Sequence, residues 1–324
     1  MADRVDVARL AGVSTATVSR VTSCKGYVKR ETREKVIKAI EMLDYRPNAL
    51  AQNLRLKRNN MIAVMAEDLC NAYTAECVEV LSREARKYGC CIMLFTVNEG
   101  NIDAVVDEIV RNKTMGVVNS TMLKISDENR QKLLRAKTRT IGIAENFELD
   151  IQIKYEDAMR EAYKLLVERN KKRPIYMGGI PMDWLINNTR VKAFLQLNEE
   201  FGMIGGLQSV IAGKYPLEKY HIIGYNETNR LFEEGKEFDT VFCLTDSMAM
   251  GVLHSLFEHG KKVPQDVAVI GCDNVSSSDL MNPGLTTIDT QEEEVCKEYI
   301  RYILSDDQNI VRYYDTKLII RDTL

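Results

Sequence analysis

The sequence predicts an α/β protein: a small N-terminal three-helix head with a helix-turn-helix, then a larger two-lobed body of doubly wound parallel sheets. Three observations predict it. Within residues 3–22, two short amphipathic patterns flank a single glycine. From Met61 onward, short apolar runs alternate with segments of helical period. Charge divides at the same place, because residues 1–60 hold 13 Lys and Arg against 6 Asp and Glu, whereas the rest hold 31 against 41. A basic head on an acidic body points to a polyanionic partner for the head alone, although charge by itself leaves a solvated basic face as an equal reading.

In the head, Asp3 is placed to cap a helix whose apolar face uses Val7, Leu10 and Ala11. Gly12 ends it, since glycine enters the left-handed region without steric cost. Val13 turns inward and Ser14 is a second N-cap. The next helix, Thr15 to Thr22, buries Val18 and Val21 and shows Thr15, Ala16, Thr17, Ser19 and Arg20. Two short helices about a glycine turn form a helix-turn-helix, whose second helix fits the major groove of DNA. Short hydroxyls approach phosphates closely, and an arginine forks onto a guanine edge. Tyr27 is a further candidate contact. A third helix over "RETREKVIKAIEMLDY" supplies Val36, Ile37, Ile40 and Leu43 to the core. In the following "YRPNALAQNLRLKRNN", Pro47 and Asn48 start a short helix on which Ala51 and Leu54 share a face. So short a helix is marginal alone. It is either a linker packed on the body or a wedge pressed into a minor groove.

Ten apolar runs in the body read as strands: "MIAVMA", "CCIMLFTV", "MGVVNS", "RTIGIA", "PIYMGG", "LQSVIA", "DTVFCL", "DVAVIGC", "LTTIDT" and "KLII". Helical stretches lie between them. Alternation of this kind implies parallel sheets covered on both faces, and ten strands suit two lobes better than one. Ligands in such folds lie beyond the carboxyl ends of the strands.

Other classes are set aside. No apolar run spans a membrane, and the first residues contain no apolar signal segment, so a cytoplasmic setting is expected. Eight cysteines are scattered without a C-x-x-C pair, and His221, His254 and His259 keep no ligand spacing to them, so neither metal nor cofactor is expected. The sequence has no nucleophile elbow, P-loop or H-E-x-x-H, and no catalytic residue is assigned.

The run Asp6-Val7-Ala8, Ala11-Gly12-Val13-Ser14, Thr17-Val18-Ser19-Arg20-Val21, Thr32-Arg33, Val36 and Tyr45-x-Pro47-Asn48-x-x-Ala51-x-x-Leu54 resembles, without a gap, the DNA-binding domain of the lactose-repressor (LacI) family of bacterial transcription regulators. "NKKRPIYMGG", "TDSMAMGVL", "VPQDVAVIGCDN" and "PGLTTID" carry the resemblance through the body, so that it covers nearly the whole chain. It implies that Thr15, Ala16 and Arg20 stand at base-reading positions and that Leu54 is a minor-groove wedge paired with its mate from a second subunit. Asn48 and Ala51 share that hinge element, and Arg55 adds a backbone contact. Some residues depart from the pattern: Asp3 where Thr is usual, Val5, Arg55 after the wedge, and Ala16, which offers a base only a methyl contact.

The resemblance further implies a periplasmic-binding-protein-like body. Its division would be residues 1–46 for the head and 47–60 for the hinge helix and linker. The effector-binding and dimerisation body, 61–324, would have a first lobe of about 61–154 and 290–315, and a second of about 155–282 and 316–324. Arg190 aligns with a ligand-binding arginine and Asp273 with an effector aspartate. Tyr73, in the altered segment "CNAYTAE", stands where an aromatic stacks on the ligand. Asp246 and Thr245 end a strand, and Asp246 reads equally as an effector contact or a helix cap. Glu67, Ser120 and Glu145 also end strands, whereas Trp184 reads as packing. The implied molecule is a homodimeric repressor on a pseudo-palindromic double-stranded operator, switched by a small sugar-like effector. Rival readings are a sugar-binding module without regulatory DNA binding, and a regulator governed by a protein corepressor.

Overall fold

A computed structural model describes residues 2–22, 27–45, 59–121, 123, 125–142, 149–214, 219–307 and 310–324. The expected hinge helix, with Asn48, Ala51, Leu54 and Arg55, lies outside these residues, as does Glu145. Two compact units are present, 1–60 and 61–324.

The first unit contains α1 (Arg4–Ala11), α2 (Thr15–Thr22) and α3 (Arg30–Met42). Asp3 accepts from the backbone N–H of Val5 and of Asp6, while the Asp6 carboxylate accepts from the N–H of Asp3, a closed capping box. Gly12, at φ 64°, receives the end of α1. Ser14 Oγ accepts from Thr17 N at 3.2 Å. Val7, Ala8, Val18, Val21, Val36 and Ala39 form the buried core. Leu10 and Ile37, expected inside, are 49% and 42% exposed. The three short helices approach closely enough that alanines 8 and 39 take the positions a larger residue would overfill.

The first lobe of the second unit runs through β1 (Met61–Ala66), α4 (Ala72–Lys87), β2 (Cys91–Thr96), α5 (Ile102–Arg111), β3 (Gly116–Ser120), α6 (Asp127–Arg135), β4 (Arg139–Gly142) and β5 (Leu149–Lys154). The chain then builds a second lobe from α7 (Glu156–Glu168), β6 (Pro174–Met177), α8 (Met182–Leu185), α9 (Thr189–Glu200), β7 (Val210–Ile211), α10 (Tyr220–Glu233), β8 (Thr240–Cys243), α11 (Asp246–Glu258), β9 (Ala268–Cys272) and β10 (Thr286–Asp289). It returns to the first lobe for α12 (Glu292–Leu304) and β11 (Ile310–Asp315), and ends in the second with β12 (Lys317–Ile319).

The sheets have the orders β11-β5-β4-β3-β1-β2 and β12-β10-β9-β8-β6-β7. Every pairing is parallel except β10 with β12. In each lobe the first strand has the second on one side and the third on the other, so the order reverses there and opens a crevice at the carboxyl ends. The strand runs expected from sequence omit β5 and β11, which pair with each other at the outer side of the first sheet. "LDIQIK" and "IVRYYD" mix polar with apolar residues because this side is partly solvated, and a search for continuous apolar runs passes over them.

Three crossings join the lobes. Thr316 donates through N and Oγ1 to Lys154 O at 3.2 and 2.9 Å, and the Gln291 amide donates to Asp315 O, so all three are tied together. Asp289 still belongs to the second sheet, so the second lobe continues past residue 282. Its core is aromatic: Phe242 stacks on Tyr163 with ring centroids 5.3 Å apart and meets Phe194 edge-on. Trp184 packs half-buried against this core.

Candidate functional site

In the head, Ala16 and Arg20 are exposed on α2, with Thr15, Thr17 and Ser19 half-buried beside them. Thr17 Oγ1 lies 3.0 Å from Ser14 Oγ. These two hydroxyls therefore close the turn, leaving Thr15, Ala16, Ser19 and Arg20 as the outward face of α2. Tyr27 is 88% exposed.

In the body, Asp273, Thr245 and Asp246 follow strand ends of the second lobe, and Arg190 lies in the first turn of α9. Asn188 caps that helix by accepting from the backbone N–H of Arg190. Its guanidinium lies 5.1 Å from the centre of the Tyr155 ring, and Nη1 donates to Leu244 O at 2.5 Å. Asp273 follows β9, only 6% exposed. Its φ of 120° is rarely adopted by a residue with a side chain, a strain that persists where the surrounding structure holds it. Burial pushes the Asp273 carboxyl well above the ordinary carboxylate range; Arg190 and the backbone N–H of Asp246 pull it partly back.

That shift has a sign in stability. The folded state holds the Asp273 proton more tightly than the unfolded chain does. The resulting stabilisation is present at acid pH and is lost as pH rises from the unfolded value of about 3.9 through the raised one. Asp273→Asn removes the titration and keeps nearly the same shape. Its stability relative to the wild type is therefore expected to grow with pH across that window, measured by denaturant unfolding at stepped pH. A difference independent of pH would show that Asp273 titrates as an exposed carboxylate does.

Thr245 and Asp246 have partners within the fold. Thr245 is the N-cap of α11, accepting from Met248 N at 3.1 Å. Asp246 is fully buried; it accepts from Val275 N at 3.0 Å, Ser278 Oγ at 2.6 Å and Thr287 Oγ1 at 2.5 Å. The Asp246 carboxylate is thus committed to the fold, and the Thr245 hydroxyl to the cap of α11 as an acceptor.

In the first lobe, Tyr73 packs partly buried against the core that includes Cys77 and Tyr299. Asn71 caps α4 by accepting from Tyr73 N. Burial raises the Tyr73 phenol well above its usual value, with Cys77, Glu292 and Asp273 adding to the effect. Asp273 of the second lobe thus lies within electrostatic range of Tyr73. Tyr220, which sequence reasoning missed, joins them: burial, with Glu67 adding and Arg190 opposing, pushes its phenol up to about 12. Nothing in the local sequence marks Tyr220 or Tyr155, because each is carried to the cleft by the crossings and by α10. Tyr155, Tyr176, Arg190 and Cys272, all of the second lobe, line a small recess. Where no metal was expected, Cys77, Glu292 and Cys296 gather within 4.8 Å.

The comparisons with known proteins agree with this architecture. Residues 5–48 match the description "Bacterial regulatory proteins, lacI family", and residues 207–324 match "Periplasmic binding protein-like domain". The HTH-type transcriptional regulator pepR1 of Lactobacillus delbrueckii subsp. lactis is 31% identical over 289 residues, which is 87% of this chain and 84% of that protein. The chain belongs to the lacI family of bacterial regulatory proteins. This lacI-family chain is a DNA-binding transcriptional regulator. Its fold is that of the Lac repressor dimer bound to operator and the anti-inducer ONPF, with a TM-score of 0.77 at 21% identity over 99% of this chain and 98% of that one. The transcriptional regulator CelR–cellobiose complex has a TM-score of 0.71 at 23% identity, with both chains covered in full. Among the described residues, no helix of this regulator is long and apolar enough to cross a membrane.

Proposed function

We propose that the protein represses transcription as a homodimer on a pseudo-palindromic operator. A small hydroxyl-rich molecule, a sugar or sugar derivative, held between the lobes sets its affinity for DNA. The observation that supports the ligand is the placement of Arg190 beside Asp273 in the second lobe, with Tyr73 of the first lobe within electrostatic range of Asp273. A guanidinium donates two parallel bonds to vicinal hydroxyls, a carboxylate accepts from them, and an aromatic ring covers the apolar face of a sugar. The fold shared with a repressor–operator complex and with a cellobiose complex accords with this reading. No turnover of the ligand is expected, and the setting is the cytoplasm.

The switch requires the ligand to bind two arrangements of the lobes with different affinity. The alternative is a body governed by a protein partner rather than by a small molecule.

Thermal melting of the full chain against sugars, sugar phosphates, polyols and nucleobases separates the two. A ligand that binds only the native state raises the melting temperature with its concentration, and no shift across the panel would favour the protein partner. For the DNA side, Leu54→Ala is expected to reduce operator binding more than binding to unrelated duplex, measured by anisotropy at fixed salt. Equal losses on both duplexes would remove Leu54 as the wedge.

A further inference from the structure

Neither the DNA-binding head nor the contacts around Arg190 explain the grouping of Cys77, Glu292 and Cys296. Cys77 lies on α4; Glu292 and Cys296 are four residues apart on α12 and so share a helix face. Two sulfurs and a carboxylate oxygen all lie within 4.8 Å of one another. Cys77 and Cys296 are 6% and 1% exposed. Glu292 Oε1 is buried without a hydrogen bond of ordinary geometry, and the donor that acts on this carboxylate is the neighbouring Cys77 thiol. A thiol is a weak donor, so the buried acceptor is poorly satisfied, and a cation would satisfy it better.

We propose that Cys77, Glu292 and Cys296 bind one divalent thiophilic cation of the zinc class, with water completing the coordination. Thiolate sulfur with one carboxylate oxygen is a donor set that suits such an ion. With metal–sulfur bonds of about 2.3 Å, tetrahedral geometry holds two sulfurs about 3.8 Å apart. The sulfurs therefore need to close by no more than about 1 Å, within reach of side-chain rotation. A disulfide between the same two cysteines would leave Glu292 Oε1 unpartnered, and buried thiols in apolar surroundings oxidise poorly. The site also adjoins the cleft: Glu76, next to Cys77, accepts from Ser276 N of the second lobe at 2.9 Å. An occupied site would hold that end of α4 against α12.

The test uses the full chain carrying Cys24→Ser, Cys70→Ser and Cys91→Ser, kept reduced, stripped of metal with a chelator and titrated with Co²⁺. The expected result is thiolate-to-cobalt charge-transfer absorption in the near ultraviolet that saturates at one ion per chain and is abolished by Zn²⁺. Cys296→Ser removes that stoichiometric band. Glu292→Gln keeps both thiols and nearly the same shape; it retains the band but weakens Co²⁺ binding by at least about tenfold. The melting temperature rises with Co²⁺ in the parent and less in Glu292→Gln. Three results would overturn the proposal: no charge-transfer absorption in the parent, a band that survives Cys296→Ser, or unchanged affinity in Glu292→Gln.

Discussion

Arg190→Ala is expected to abolish the melting shift produced by whichever ligand stabilises the wild type, while operator affinity in the absence of ligand stays as it was. The guanidinium is a positive charge held in place by Leu244 O and the face of the Tyr155 ring. Charge-assisted hydrogen bonds contribute about 1.5–3 kcal/mol each. Losing two of them costs at least about 3 kcal/mol, or roughly a hundredfold in affinity. The substitution has a second signature in the free protein. Leu244 O loses its donor, and Asp273 loses the charge that offsets its burial. The Asp273 carboxyl then rises further, so stability falls over a wider span of pH than in the wild type. Ligand-dependent melting, anisotropy on the operator and unfolding at stepped pH test the three parts. A ligand shift that survives Arg190→Ala would place the pocket elsewhere.

Which of these features could be read from the residues depended on their range along the chain. Asp3, Gly12, Ser14, Val18 and Val21 were legible because caps and helical spacing act over a few residues. The strands buried on both faces were legible as continuous apolar runs, whereas β5 and β11 were not, since one side of their pair is partly solvated. Arg190 and Asp273 rested on resemblance: an arginine early in a helix reads as surface until the fold brings Leu244 and Tyr155 to it. Thr245 and Asp246 show the opposite failure. A strand end followed by Thr-Asp suits a ligand contact and a helix cap equally, and only the long-range partners Val275, Ser278 and Thr287 decide between them. The Cys77 and Cys296 pairing spans 219 residues and leaves no local trace at all.

Asp246→Ala is expected to be the more damaging substitution for the fold. The carboxylate joins α11, the segment after β9, and β10 through three donors. Its burial raises its pKa, and the bonds from Ser278, Thr287 and Val275 counter that rise. Its position in the first turn of α11 adds a favourable interaction with the helix dipole. Removing it strands Val275 N–H in the interior and obliges both hydroxyls to find other acceptors. A loss of about 3–5 kcal/mol is expected, as when one partner of a buried charged network is deleted. Gly271 makes the assignment sharper. A Cβ there would collide with Asp246 Oδ1 and press on Leu285, so Gly271→Ala alone should also destabilise the body. In the double variant the collision with the carboxylate is gone, and the combined loss should fall short of the sum of the two single losses. Denaturant unfolding of the four proteins measures that coupling. Strict additivity would mean that the carboxylate and Gly271 do not share the space. A wild-type melting temperature in Asp246→Ala, together with loss of the ligand shift, would return Asp246 to the effector site.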